Sequence, residues 1–352
     1  MLSCLKVCSI GKSHFVTPRH TLITISHQEH IKMKNKQSDP VSVNPPTLHD
    51  LTVSWLHDFK SQREKSTIEM YERVVRILEK SPVGSLKMSD LDRHSLQQLI
   101  NENAAHPRTC QKIMLTYKQV IKYAISMHIL PVYALYDLCE GISVPRYRPV
   151  ERLPLSQEEK DAIRSAKSKL DPRELSYLMI LMGCGLRREE AIALTPSDIS
   201  IARRTIRVNK AVGFYKGSPY SKGTKNGIER SVPIPPDTLS ALQAYLPLIK
   251  GNHLFTDSEG GMLTVGTYRT LWDGITRKIY KEMPPGAEHK LTAHRFRHNY
   301  CTLLCYQIPT ISVRKVASLL GDSEAMVMNV YNHILEEKED LESVINVIAA
   351  EM

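Results

Sequence analysis

Three closely spaced prolines most constrain how this chain folds. Pro145, Pro149 and Pro154 fall within the segment 144–155, and each fixes φ and removes a backbone donor, which disfavours a helix there. The same segment carries three arginines, Arg146, Arg148 and Arg152. Because 352 residues are enough for two domains, we interpret 144–155 as a basic linker between them.

The half before the linker has helical periodicity. From 47 to 143, apolar residues recur at helical spacing in successive segments, the last ended by Pro131, so we predict a bundle of about four helices. Residues 1–46 are polar and show no sustained period. We predict a poorly ordered leader there, with Met33 as an alternative start.

The half after the linker mixes helices with a short β-rich interval. Ser156 and Glu159 have capping-box spacing at the start of a helix, and an apolar helix is predicted over 174–185. Strand patterns occupy 203–212 and 230–235, and Asn226-Gly227 predicts a hairpin with Lys225 at its tip. The predicted fold class is therefore mainly α with a small β-sheet (α+β), with the second domain over 156–334.

Residues 335–352 form a distinct acidic tail. They carry a net charge of −5 beside +15 for the rest of the chain. Four apolar residues recur at helical spacing, Leu341, Val344, Ile345 and Ile348. We predict a tail helix whose apolar stripe packs on its own domain or on a neighbouring protomer.

Composition narrows the classes of function. The net charge of +10 and pI near 9.1 favour a polyanionic partner such as nucleic acid. The seven cysteines contain no CxxC pair, which argues against a disulfide framework or zinc ribbon and fits a reducing cytoplasm. No apolar window approaches the roughly 18 residues that span a bilayer, so we expect a soluble, cytoplasmic protein without membrane contact.

Four segments of the second domain carry basic or nucleophilic side chains. Arg187 follows a glycine-flanked turn, Lys225 lies beside Asn226-Gly227, and His294 and Arg297 share one helix face. The fourth segment, 319–334, contains Tyr331. Taken alone, each has an ordinary interpretation: a solvated arginine, a surface lysine, or, for Tyr331, a packed tyrosine. A zinc site is rejected, because Arg295 stands where the general-base glutamate of zinc peptidases would be.

Together these side chains suit a phosphoryl-transfer site. Two arginines, a lysine and a histidine that converge would match phosphoryl oxygens and neutralise charge in a pentacoordinate transition state. A tyrosine at such a site becomes a candidate nucleophile.

The order and spacing of these segments resemble the tyrosine recombinase (phage integrase) family. Its boxes are matched in chain order by Gly185, Leu186, Arg187 and Glu190; by Lys225, eight residues before Pro233; by His294, Arg297 and His298; and by Leu320, Gly321, Tyr331 and His333. The similarity covers roughly 47–340, so it implies a helical core-binding (SAM-like) domain over 47–143 and a tyrosine-recombinase catalytic domain over 156–334.

The resemblance also implies the chemistry. Tyr331 would attack the scissile phosphodiester, giving a 3′-phosphotyrosyl enzyme and a free 5′-hydroxyl. Arg187 and Arg297 would hold the non-bridging oxygens. Lys225 would protonate the leaving oxygen, and His294 would assist proton transfer from the tyrosine. No cofactor and no metal are expected.

The implied partners are double-stranded DNA and three further copies of the chain, as a homo-tetramer on paired sites. The implied role is integration or excision of a prophage or mobile element. Two alternatives stay open, a type IB topoisomerase and a catalytically weakened DNA-binding relative.

One residue departs from the family pattern. Asp322 stands where the family usually has histidine or tryptophan, a donor to the phosphate. An ionised carboxylate cannot donate and repels phosphate. Either Asp322 points away, with His298 or Lys222 as the donor, or the enzyme is slow. Lys222 is also a rival of Lys225, although its spacing to Pro233 is too long.

Overall fold

A computed structural model of the chain describes residues 45–148, 154–225, 227–288 and 290–338. Residues 1–44 of the predicted leader and most of the predicted tail therefore lie outside the described residues, as does the middle of the linker. Within the described residues, no helix combines the length and apolarity needed to cross a membrane.

The part before the linker consists of helices. They are α1 (Leu48–Phe59), α2 (Lys65–Lys80), α3 (Arg93–Glu102), α4 (Pro107–Ser126) and α5 (Ala134–Cys139). Side-chain caps begin two of them: the Thr47 hydroxyl accepts from the Asp50 N–H at 3.1 Å, and the Asp92 carboxylate accepts from the Ser95 N–H at 2.7 Å. The four expected helices are present, and α5 was not foreseen.

A single apolar core holds these helices together. Trp55 of α1 meets Tyr71 of α2 edge to face, with ring centroids 4.8 Å apart. Leu96 and Leu99 of α3 and Ile121 of α4 are completely buried in this core. Val144 at the start of the linker packs against this core, whereas Leu155 at its end belongs to the next one.

The part after the linker has helices around two small antiparallel sheets. The helices are α6 (Gln157–Ala166), α7 (Pro172–Cys184), α8 (Arg188–Ala191), α9 (Pro236–Tyr245) and α10 (Val265–Tyr280). The strands are β1 (Ile199–Ser200), β2 (Thr205–Val208), β3 (Lys210–Tyr215), β4 (Ser218–Gly223) and β5 (Arg230–Pro233). One sheet has the order β1-β2-β5 and the other pairs β3 with β4. The predicted capping box is present, since Ser156 and Glu159 exchange hydrogen bonds at 2.9 and 3.1 Å.

Three further helices carry the end of the described chain: α11 (Ala293–Cys305), α12 (Val313–Leu320) and α13 (Glu324–Lys338). They enclose their own small core, in which Cys305, Val316 and Val327 are buried. The helix α13 continues to Lys338, past the predicted start of the tail at 335. The α+β prediction is confirmed.

The hairpin prediction at Asn226-Gly227 is wrong. The strands on either side of it do not pair with each other, because β4 pairs with β3 and β5 pairs with β2. The tight turn lies instead at Lys216 and Gly217, whose φ values of 51° and 85° suit a two-residue hairpin. The segment from Thr224 still turns, since the Gly227 N–H donates to the Thr224 carbonyl at 3.0 Å, but Asn226 lies outside the described residues.

Candidate active site

Arg187 stands at the junction between two helices. Gly185 ends α7 with φ 61°, and a Cβ there would lie 2.2 Å from the Tyr300 ring, so only glycine fits this turn. Arg187 then precedes α8, and its N–H donates to the Glu190 carboxylate at 2.9 Å. Its guanidinium donates to Glu190 at 2.9 Å and to the Gly321 carbonyl at 3.0 Å. The partial positive charge of a helix N-terminus disfavours an arginine, and these acceptors compensate for it.

Arg297 of α11 is buried among the ends of two other helices. Its guanidinium donates to the Gly185 carbonyl at 2.8 Å and to the Leu320 carbonyl at 2.6 Å. Both carbonyls lie at helix C-termini, where partial negative charge favours a cation. Burial and the nearby charge of Arg187 lower the pKa of Arg297, and Asp322 opposes that shift. The guanidinium remains charged at neutral pH.

Asp322 joins the two arginines. One carboxylate oxygen accepts from Arg187 Nη2 and the other from Arg297 Nη2, each at 2.5 Å. The side chain of Asp322 is 29% exposed, whereas that of Arg297 is 5% exposed. Of the two alternatives left open for Asp322, the one in which its side chain points away from the site is therefore wrong. A carboxylate on this turn neutralises two adjacent guanidinium groups that would otherwise repel each other.

A buried ion pair lies beneath Arg187, and its cation was not singled out in the sequence. Arg230 of β5 donates to both oxygens of Glu190, at 3.0 and 2.6 Å, and to the Leu319 carbonyl at 2.9 Å. Burial raises the pKa of Glu190, but hydrogen bonds and charge from Arg230 and Arg187 outweigh it and lower the pKa overall. Alternation along β5 was the available signal, because it puts Arg230 on the buried face with Val232.

His294 lies near this cluster and is exposed at the start of α11. A pocket beside the paired arginines is lined by His294, Arg297, His298, Asp322, Met326 and Val330. The sequence predicted that His294 and Arg297 share one helix face, and both side chains line this pocket. Arg295 faces elsewhere: it donates to Glu159 at 2.5 and 2.8 Å, which ties α11 to α6.

Tyr331 follows the pocket-lining Val330 on α13. It is partly buried and packs against the small core of α11 to α13. Within the described part of the chain, its hydroxyl makes no hydrogen bond to Arg187 or Arg297. The described residues therefore bring together the two predicted arginines, place His294 at their pocket, and hold Tyr331 on the helix that forms its wall.

Lys225 is exposed in the turn between β4 and β5. Its rival Lys222 lies on β4 and points toward the helices before the linker, with Nζ 3.5 Å from the Glu64 carboxylate. Of the two lysines, only Lys222 is held by an ion pair among the described residues.

The share of the chain that matches a known protein family identifies the family to which the chain belongs. The model of the phage integrase family matches residues 154–338, more than half of the chain and all the site residues above. The chain belongs to the phage integrase family.

Relatives of this phage integrase family member are tyrosine recombinases. The chain is 25% identical over 324 residues to a tyrosine recombinase XerC-like protein of Caldanaerobacter subterraneus subsp. tengcongensis, covering 83% of this chain and 81% of the relative. It is 30% identical over 201 residues to tyrosine recombinase XerD of Proteus mirabilis, covering 53% and 58%.

Solved structures show the same fold. The Tn1549 transposon integrase in complex with a circular intermediate DNA superposes with a TM-score of 0.70 at 19% identity, covering 86% of this chain and 99% of that one. A lambda integrase tetramer bound to a Holliday junction superposes with a TM-score of 0.60 at 16% identity, covering 84% and 85%.

Proposed function

We propose that this protein is a site-specific DNA recombinase that cleaves and rejoins DNA through a 3′-phosphotyrosyl intermediate. It belongs to a family of enzymes that break and rejoin DNA. The observation that carries the proposal is the convergence of Arg187 and Arg297 on the two oxygens of one carboxylate. Guanidinium groups in that arrangement match the non-bridging oxygens of a phosphodiester.

The reaction assigns one role to each side chain. The Tyr331 hydroxyl loses its proton, assisted by His294, and its oxygen forms a bond to phosphorus. The bond to the 5′ oxygen breaks, and Lys225 protonates that oxygen as it leaves. Arg187 and Arg297 stabilise the charge on the pentacoordinate phosphate. Attack by the 5′-hydroxyl of a partner strand reverses these steps, so strands are rejoined without an external energy source.

Double-stranded DNA is the proposed substrate, held by both halves of the chain. The separate cores before and after the linker support a division into a core-binding domain over 47–143 and a catalytic domain over 156–334. Arg146 and Arg148 of the linker would contact the backbone, and phosphate contacts of this kind position a protein without reading sequence. A homo-tetramer on paired sites is the proposed assembly, and the lambda integrase tetramer on a Holliday junction is a fold relative that supports it.

A mobile element or prophage is the proposed source of the substrate sites. The Tn1549 transposon integrase shares the fold over 86% of this chain, which supports that origin.

Trapping of the covalent intermediate tests the proposal. A nicked suicide substrate, taken from the ends of the element that carries the gene, should give a covalent protein–DNA adduct that survives denaturation. Tyr331→Phe should abolish the adduct, because phenylalanine has no nucleophilic oxygen. Tyr133→Phe is the matched control, since it removes a hydroxyl from a side chain that is 67% exposed before the linker. An undiminished adduct in Tyr331→Phe would refute the assignment, and its absence in the wild type would favour a weakened DNA-binding relative.

A plasmid assay separates recombination from topoisomerase activity. Recombination requires a pair of sites, so supercoiled plasmids with two sites should yield recombinant circles, and plasmids with none should stay supercoiled. Relaxation of plasmids that carry no site would instead support a type IB topoisomerase.

A further inference from the structure

The Asp322 carboxylate has the geometry of a bound anion. Each of its oxygens accepts one guanidinium N–H at 2.5 Å, one from Arg187 and one from Arg297. The two non-bridging oxygens of a phosphodiester would use the same two donors. Because the Nη2 atom of each arginine already serves Asp322 and a main-chain carbonyl, a phosphate cannot take these positions while the carboxylate stays.

Glu190, the second carboxylate of the cluster, is more deeply buried than Asp322. Glu190 is 2% exposed and takes two hydrogen bonds from Arg230, so it is part of the buried framework. Asp322 is 29% exposed at its side chain and lies at the edge of the pocket. Of the two carboxylates, Asp322 is the one that can exchange its arginine contacts for water, and the buried Arg297 guanidinium then needs another anion in its place.

The turn that carries Asp322 allows this exchange with little backbone change. Gly321 ends α12 with φ 63°, and the Asp322 N–H donates to the Ala317 carbonyl at 3.1 Å, which holds the main chain in a helix-ending turn. The carboxylate can therefore leave the arginines by rotation of its own side chain. The backbone carbonyls of Leu320 and Gly321 would keep both guanidinium groups in place.

We propose that Asp322 is an internal substitute for the scissile phosphate, which fills the anion site of the free enzyme and which DNA must displace before cleavage. The proposal rests on the proposed function for the identity of the displacing ligand. Three guanidinium groups and two carboxylates leave the cluster with little net charge when DNA is absent. Arg187 and Arg297 become available to a phosphate only when a DNA strand lies in the pocket and displaces Asp322. In the free enzyme, Asp322 therefore keeps other anions out of this site.

Sulfate binding tests the internal anion without requiring DNA. The probe is sodium sulfate, and the readout is the midpoint of thermal unfolding of the full chain, compared with sodium chloride at equal ionic strength. The wild type should show little sulfate-specific stabilisation. Asp322→Asn should bind sulfate about tenfold more tightly, a change comparable to one charge-assisted hydrogen bond.

Three further variants make the result specific. Asp322→Ser is a second neutral side chain in case the asparagine variant folds poorly, and chloride-only unfolding reports folding for both. Glu259→Gln removes the same charge from an exposed loop and should behave like the wild type. Arg187→Gln combined with Asp322→Asn should lose the sulfate response. Equal sulfate stabilisation of the wild type and both neutral variants would overturn the proposal.

Adduct formation on the suicide substrate separates this proposal from the proposed function. With saturating protein, the rate constant of adduct formation should rise about tenfold in Asp322→Asn, because no internal anion competes with the phosphate. Absence of any adduct in both proteins, with sulfate binding as expected, would refute the recombinase assignment but leave the internal anion in place. Adduct formation without the difference in sulfate binding would refute the internal anion alone.

Discussion

Replacing Arg230 with leucine should cost this protein much of its stability. Its side chain is 4% exposed and that of its partner Glu190 is 2% exposed. Removing one partner of a buried ion pair typically costs about 3–5 kcal/mol, because the other charge is left in a medium of low dielectric. Glu190 keeps Arg187 at 2.9 Å, so we expect Arg230→Leu to lower the free energy of unfolding by about 3 kcal/mol, at the lower end of that range.

The assay is urea unfolding followed by tryptophan fluorescence. The chain has two tryptophans, Trp55 in the first core and Trp272 beside the second. A Trp55→Phe background leaves Trp272 as the only indole, so the signal reports the part that contains Arg230. Trp272 meets Phe296 edge to face at 5.8 Å, which makes its emission sensitive to loss of that core.

A matched control and a double variant make the reasoning refutable. Arg164→Leu removes an arginine that is 71% exposed and paired with Asp161, and it should cost less than about 1 kcal/mol. Adding Glu190→Gln to Arg230→Leu should cost about 1–3 kcal/mol less than the sum of the single changes, because the stranded charge is gone. If the stability of Arg230→Leu lies within about 1 kcal/mol of its background, Glu190 does not depend on Arg230 for compensation of its buried charge.

The remaining predictions concern pH, metal and the tail. Since the folded pKa of Glu190 lies below its ordinary 4.5, its stabilisation is full above that pH and is lost as pH falls through the folded value. The stability difference between wild type and Glu190→Gln should therefore be constant above pH 4.5 and shrink below it, whereas a constant difference in acid would contradict the shift. Cleavage of the suicide substrate should persist in excess EDTA because the proposed phosphate ligands are cationic side chains, and loss that magnesium restores would indicate a metal-dependent nuclease. Truncation after Lys338 keeps every described residue of α13 and should weaken paired-site complexes in gel shifts while single-site binding stays nearly intact; equal paired-site assembly would show that residues 339–352 do not couple protomers.

Local patterns in the sequence were sufficient for most of the elements. The Ser156 capping box and the apolar helix over 174–185 involve interactions within about four residues, so neighbours along the chain determine them. The order of the site boxes, which span 185–333, placed Arg187, Arg297 and Tyr331 in one expected catalytic domain through the resemblance to the family and not through local interactions. Roles within that site stay proposals that the adduct assay addresses.

Only tertiary structure decided which partners the charged groups and strands take. Arg187 and Asp322 are 135 positions apart, and Arg297 and the Gly185 carbonyl are 112 apart. No local rule states that a carboxylate on the α12–α13 turn will face two guanidinium groups, because several helix ends must first meet. The predicted hairpin was wrong for the same reason. The turn signal at Gly227 is local, whereas the choice between β2 and β4 as the partner of β5 depends on which apolar faces are buried together.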